Sequence, residues 1–326
     1  MKVLKNTNFD EWQEIANKCE YATFFHTPIW SRIFTQTYKN IHIVTKKFLF
    51  DDETKVMFPL VLTKNAKGLF NVYISNVGGV YGGWISDKNL SEQQNDEIVK
   101  WINKYLKNFE WRINPFDKNL HLPSMLNIHQ DFTQYLDLRR GFDSIYKSWT
   151  RGHAWGARKA SKEGVIVREA KDWKDWKNYF VIYQDSIRRW GDKVSCTYPL
   201  SLFKEFFKSH SPSIKLLLAY FGDYPIAGIL CFYHNHHVAI WHSAALEKYF
   251  PKHPCNILHY KSIKDACEKG YWWYDFNPSG GHKGVVIFKK RFGAKKLKSD
   301  IIYKRSFFSR LIEILPYKSI FKHILT

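Results

Sequence analysis

The sequence predicts an α+β chain of two tandem domains, with α/β-type alternation of strands and helices and mixed, mainly antiparallel sheets. Three observations carry this reading. The chain has 326 residues, long for one domain and natural for two of about 150 residues each. Hydrophobic residues make up 45%, enough to fill two cores. Strand-like and helix-like runs follow one another without a low-complexity linker or an internal repeat. A boundary near Gly141 gives domains 1–140 and 141–326.

The first half opens with a helix over Asp10–Lys18, which Asp10 can cap. In His26-Thr27-Pro28-Ile29-Trp30, Thr27 can be the N-cap of a second helix and Pro28 its first residue. Strands are expected over Ile41–Phe50 and Lys55–Thr63, divided by the acidic turn Asp51-Asp52-Glu53. Pro59 marks the second as an edge or a bulge. After a strand at Val72–Ser75 comes Gly78-Gly79-Val80-Tyr81-Gly82-Gly83-Trp84. Glycines of this density either let a backbone approach a ligand or bend a loop. A helix over Ser91–Lys107 and strands at Glu110–Asn114 and Gln134–Leu138 follow.

The second half begins with a helix over Asp143–Glu163, on which Arg151, Trp155, Arg158 and Lys162 share one face. Gly164 can end it. After a strand at Val165–Glu169, helices are expected over Trp173–Trp190 and Pro199–Ser209. Strands Ile214–Phe221, Ile226–Tyr233 and Val238–Ala245, joined by tight turns, form an antiparallel meander. A polar segment, Leu246–Cys255, leads into a helix that starts near Asn256 and ends at Gly270. The strand Tyr271–Phe276 comes next.

Lysine plus arginine exceed aspartate plus glutamate by 50 − 30, a formal net charge of +20. Such a surplus favours an anionic partner: nucleic acid, a phosphorylated small molecule or an acidic membrane surface. Five cysteines, an odd number without a Cys-x-x-Cys pair, suit neither a disulfide framework nor a zinc cage and fit a reducing compartment. No apolar stretch follows the N-terminus, and none elsewhere is long enough to span a bilayer, so a cytoplasmic protein is expected.

Four short motifs resemble those of the Fem-like acyltransferases. They are Arg158-Lys159-Ala160 with Gly164-Val165, Asn256-Ile257-Leu258 opening a helix, Tyr274-Asp275-Phe276-Asn277, and the run from Gly284 through Phe288-Lys289-Lys290-Arg291-Phe292-Gly293-Ala294. His26-Thr27-Pro28-Ile29-Trp30 looks like a fifth element in the first half. The resemblance implies two fused GNAT-like domains, in which the loop before a helix meets the donor. It also implies transfer of an acyl or aminoacyl group from acyl-CoA (acetyl-CoA) or aminoacyl-tRNA to an amine on a phosphorylated or lipid-linked envelope precursor. Two features depart from the pattern. No coiled-coil arm is present, and the usual glycine-rich acetyl-CoA loop is missing.

Acyl transfer to an amine needs a deprotonated nucleophile, a stabilised oxyanion and a held donor. The resemblance points to Lys289, beside Phe288, for the oxyanion or a donor phosphate. Asp275 interrupts an aromatic strand, which makes it either a general base or a structural acceptor. Arg151, Trp155, Arg158 and Lys162 offer a phosphate-binding face, or simply a solvated one. Lys252, His253 and Asn256 lie at a helix start that can hold donor phosphates. Trp30 and Tyr81 are further substrate-binding candidates in the first half. His234, His236, His237 and His242 cluster on a hairpin without the partner spacing of a metal site, and no metal is expected.

The competing reading is a non-catalytic basic protein that binds nucleic acid. A further expectation concerns the tail, where Phe307, Phe308, Leu311, Ile312 and Leu315 alternate with basic residues. Such a segment either packs on its own domain or touches an anionic membrane.

Overall fold

The computed structural model describes residues 1–4, 8–64, 68–120, 127–191, 194 and 196–306. The basic, apolar tail segment singled out above begins at Phe307 and lies outside them. The described residues fall into two compact units, one of Met1–Phe132 with residues 298–306, the other of Thr133–Leu297.

The first unit holds β1 (Lys2–Leu4), α1 (Phe9–Lys18), α2 (Pro28–Thr37), β2 (His42–Ile43), β3 (Lys46–Leu49), β4 (Lys55–Phe58), β5 (Val61–Lys64), β6 (Asn71–Ser75), β7 (Ile85–Ser86), α3 (Glu92–Tyr105), β8 (Phe109–Arg112) and β9 (Asn127–His129). The cap of α1 is Asn8, whose side chain accepts from the amides of Asp10 and Glu11, so Asp10 sits in the first turn instead. Thr27 and Pro28 start α2 as expected. The two long strands anticipated before residue 64 are each split. Val44 and Thr45 separate β2 from β3, and Pro59, which cannot donate to a ladder, stands between β4 and β5. The pieces serve different sheets, ordered β1-β3-β4-β7 and β2-β5-β6-β8-β17-β9, where β17 is Ile301–Lys304.

The glycine-rich loop packs onto its own sheet. A Cβ on Gly82 would lie 2.2 Å from the Ser75 carbonyl oxygen, and Gly83, at φ +104, faces the Trp111 ring. Trp30 and Tyr81 are fully buried. The Trp30 indole donates to the Val77 carbonyl, and both rings pack on Phe25. These two side chains are core, which corrects their assignment to a substrate surface.

The second unit holds β10 (Phe132–Asp137), α4 (Phe142–Lys147), α5 (Arg151–Lys162), β11 (Val165–Glu169), α6 (Trp173–Trp190), α7 (Leu200–Lys208), β12 (Ile214–Phe221), β13 (Tyr224–His234), β14 (His237–Ala245), α8 (Pro254–Glu268), β15 (Trp273–Asp275), α9 (Lys283–Lys290) and β16 (Lys295–Lys298). The single helix expected over Asp143–Glu163 breaks between Lys147 and Arg151, where Thr150 in extended conformation starts a new one. The chain then returns as β17 (Ile301–Lys304), antiparallel to both β8 and β9. The buried Arg305–Glu110 pair, at 3.2 Å, fastens it there. Residues 298–306 thus join the first unit, a division that differs from 1–140 and 141–326.

The second unit is one sheet, β11-β12-β13-β14-β15-β10-β16, with helices on both faces. Strand alternation sorts them. Ile229, Cys231 and Tyr233 of β13 share a core with Ala157 of α5 and Leu258 of α8. On the other face Gly228 leaves room for Tyr179 of α6, and Phe232 packs on Phe206 of α7.

Candidate active site

The sheet of the second unit forks at its centre. β14 and β15 run parallel for three register pairs, from His237 opposite Trp273 to Ala239 opposite Asp275. β15 then ends while β14 continues to Ala245. The side-chain amide of Asn277 donates to the Ile240 carbonyl at 3.1 Å and ties off the fork. β14 bulges at the same level: it passes from the Ile240–Cys231 pair to the His242–Leu230 pair, two residues on β14 against one step of β13.

Asp275 and Lys289 meet at the base of this fork. Asp275 is fully buried. Its Oδ1 accepts from Thr133 Oγ1 at 2.7 Å and from the Asn277 amide at 2.9 Å. Its Oδ2 lies 3.2 Å from His237 Nε2. Lys289 is 6% exposed, and its ammonium donates to the Asn277 carbonyl at 2.6 Å and to Ser279 Oγ at 2.8 Å. Asn277, held at φ +57, therefore links the two charged residues through its own peptide groups. As placed, both tie down the loop that follows β15. Thr133 and His237, which complete the cluster, carried no signal in the sequence: one is an ordinary strand residue, and the other sat in a histidine group weighed only for metal.

A second cluster lies on the α5 and α8 side. His153 and His259 pack against Phe292 at 4.5 and 4.9 Å between ring centres, and Phe288 contacts both. His259 Nδ1 meets Tyr274 Oη at 2.7 Å, which also meets Ser262 Oγ. Burial drives both histidines toward the neutral form, His153 to about 4 and His259 to about 3. Like charge adds to it, from Arg291 at His153 and from the His153 and Lys289 side at His259. His242, on the α6 side, falls to about 4 through burial.

These three histidines set an acid limit on stability. Their folded values lie below the ordinary 6.5, so between about pH 6.5 and 4 the unfolded chain binds more protons and stability rises with pH. The contribution is complete above 6.5 and is lost on the way down, on the order of 3 kcal/mol per histidine. Urea midpoints should fall steeply below pH 6.5, and His153→Phe should flatten that slope; an unchanged slope would contradict it.

Two of the basic residues expected to hold phosphate, Arg151 and Arg158, converge on the outer surface of the same side. Tyr146, Trp149, Arg151, Trp155 and Arg158 line an open groove of about 710 Å³. Arg158 donates to Tyr146 Oη at 2.9 Å. Trp155 stands edge-on to His253 at 5.1 Å, and α5 approaches α8 closely because a Cβ on Gly156 would touch Asn256 and His253 at 3.2 Å. Lys252 pairs with Glu163 at 3.1 Å. Lys162 is exposed on α5 and does not line the groove. The helix α8 starts at Pro254, earlier than Asn256, after His253 in a left-handed turn, and no side chain caps it. The Asn256 side chain is turned inward, onto the His153 carbonyl at 3.4 Å. Among the described residues no three His, Cys, Asp or Glu side chains are grouped to hold a metal. His236 instead stacks on Trp272 at 3.6 Å.

Residues 153–290 match the family described as acetyltransferase (GNAT) domain, which takes in α5 from His153 onward, the fork, α8 and Lys289. No curated protein matches the sequence. Among solved structures, FemX is 12% identical with a TM-score of 0.73, covering 96% of this chain and 99% of its own. The C-terminal domain of a putative lysylphosphatidylglycerol synthetase from Agrobacterium fabrum is 10% identical with a TM-score of 0.59, covering 94% and 95%. A conserved protein of unknown function from Bacteroides thetaiotaomicron is 11% identical with a TM-score of 0.56, covering 92% and 99%. At these identities the likeness is one of fold, and it extends over both units. The chain is an acyltransferase, with an acetyltransferase (GNAT) domain in its second half.

Proposed function

We propose that the chain moves an acyl or aminoacyl group from an acyl-CoA or an aminoacyl-tRNA to an amine on a cell-envelope precursor, an amino sugar or a peptide. One contrast between the two units supports this most. In the first unit, α3 follows β6 and leads into β8, which is parallel to β6. In the second, α8 stands in the same way between β14 and β15. The start of α3 is closed by its own capping box, Ser91 with Gln94, and carries Glu92 in its first turn. The start of α8 has neither a side-chain cap nor an acidic residue. A positive helix end without a side-chain cap, with Trp155 of the Arg151–Arg158 groove against His253, suits the phosphates of either donor. Trp155 offers a ring for its base.

In this reading the donor lies along the free edge of β14, and Asp275 and Lys289 position the loop that bounds it. Phe288 shields the inner side. FemX and the lysylphosphatidylglycerol synthetase domain, whose name specifies a lysyl group on a phospholipid, favour an envelope acceptor. No helix among the described residues is long and apolar enough to cross a membrane, and we place the work at the cytoplasmic face.

The test is ligand-induced stabilisation of the full chain. Acetyl-CoA or a charged tRNA, at a hundredfold excess over its Kd, should stabilise the fold by about 2.7 kcal/mol. The double variant Arg151→Glu with Arg158→Glu should weaken that donor at least about tenfold, as expected for lost charge-assisted phosphate contacts. Stabilisation by neither donor would overturn the proposal.

A further inference from the structure

One polar pair on the open arm of the fork is used by nothing described so far. His242 lies on β14 two residues beyond Ile240, where, among the described residues, no strand runs beside it on the β15 side. Its Nδ1 is 2.5 Å from Tyr179 Oη. The ring is fixed from several sides: Tyr183 stands edge-on at 4.5 Å, Tyr179 at 5.8 Å and Phe203 at 6.4 Å. Tyr179 is fully buried on α6, and a Cβ on Gly228 would collide with its ring at 2.6 Å, so it has no room to turn away.

The hydrogen-bond direction follows from what each group can do. Burial raises the Tyr179 hydroxyl well above its ordinary range, so it keeps its proton. Among the described residues that proton has one acceptor, His242 Nδ1. A phenol donates better than it accepts, and a neutral imidazole with an acceptor Nδ1 must carry its hydrogen on Nε2. His242 itself stays neutral, because burial is the cause of its lowered pKa. The titratable groups packed on it from α6 are Tyr179 and Tyr183, both raised by burial and therefore uncharged. From α7 it meets Phe203. Its Nε2 has no hydrogen-bond partner among the described residues and is not sealed inside the protein.

We infer that His242 is a catalytic hydrogen-bond donor, presenting a neutral Nε2–H to the acyl carbonyl oxygen, with Tyr179 as the positioning residue that fixes the tautomer. The inference rests on the transferase reading above. In the step it serves, the acceptor amine nitrogen forms a C–N bond to the acyl carbon, and the carbonyl electron pair moves onto oxygen. When that pair returns, the C–S bond of a thioester or the C–O bond of an aminoacyl ester breaks. The proton on the attacking nitrogen leaves with the sulfur or oxygen, so amine and ester become amide and thiol or alcohol. His242 holds its proton throughout. A fixed neutral donor stabilises the oxyanion without having to reorganise. Lys289 is less suited to this, since its ammonium already holds Asn277 and Ser279.

The test has two arms on the full chain. In 15N NMR of histidine-labelled protein, His242 should show a protonated Nε2 and an unprotonated Nδ1 from pH 5 to 8. In Tyr179→Phe that tautomer preference should be lost. A proton on Nδ1, or an imidazolium at pH 7, would overturn the inference without any substrate. The second arm follows acetyl transfer from acetyl-CoA to glucosamine, and aminoacyl release from a charged tRNA. His242→Phe should lower kcat about 10² to 10³-fold with KM nearly unchanged, and His242→Gln, which restores an N–H, should recover part of it. Full kcat in His242→Phe would overturn the catalytic role while the transferase reading stands. Wild-type protein inactive with both donors would count against that reading, and the tautomer would still decide whether the donor exists.

Discussion

Replacing Asp275 with alanine is expected to cost the second unit about 3 to 5 kcal/mol of stability, close to the whole margin of a domain. The reason is what remains. The Thr133 hydroxyl, the Asn277 amide and His237 all point at the carboxylate, inside a region with no access to water. Alanine leaves three polar groups facing a void, each with its desolvation cost and no bond in return. Asp275→Asn keeps an acceptor for Thr133 and Asn277 and disturbs chiefly the contact with His237. It should cost about 1 kcal/mol, the scale of one hydrogen bond. Urea unfolding separates the two, provided each unit is followed by its own probe, since a two-unit chain need not unfold in one step. A loss below about 1 kcal/mol in Asp275→Ala would show that the cluster is not held as described.

Lys289→Met is expected to act mainly on turnover, with a loss of about a hundredfold, the size seen when a group that organises a site is misplaced. Methionine fills similar volume, yet it gives the Asn277 carbonyl and the Ser279 hydroxyl no donor. The loop after β15 then loses its anchor, and Asp275 loses its neighbour through Asn277. A separate readout distinguishes this from general damage. Lys289 contributes to holding His259 neutral, after burial and His153, so the His259 titration should move upward in the variant. Unchanged turnover together with an unchanged His259 titration would contradict the placement of the ammonium.

Much of this architecture was legible in the sequence because it depends on local periodicity. The meander from Ile214 to Ala245, the helix ended by Gly164 and the Thr27-Pro28 start are local signals, and they survive in the fold. What escaped depends on distant partners. Nothing in Ile301-Ile302-Tyr303-Lys304 says that it pairs with β8, nearly two hundred residues away. Nor does Glu110, an isolated acid in a strand, announce that Arg305 covers it. Among site residues, Asp275 and Lys289 could be named from motifs, but whether they face a substrate or each other's loop could not. His242 and Tyr179 were illegible as a pair, because their contact needs a bulge in one strand and a glycine in the next.

Amide hydrogen exchange with and without donor tests the central claim most directly. With acetyl-CoA, or separately with charged tRNA, exchange should slow at residues 255–258 at the start of α8 and along 151–158 of α5. It should stay unchanged at residues 92–95 of α3, where the helix start is capped. Slowing confined to the first unit, or at neither helix start with both donors, would contradict the assignment of the donor site to the fork of the second unit.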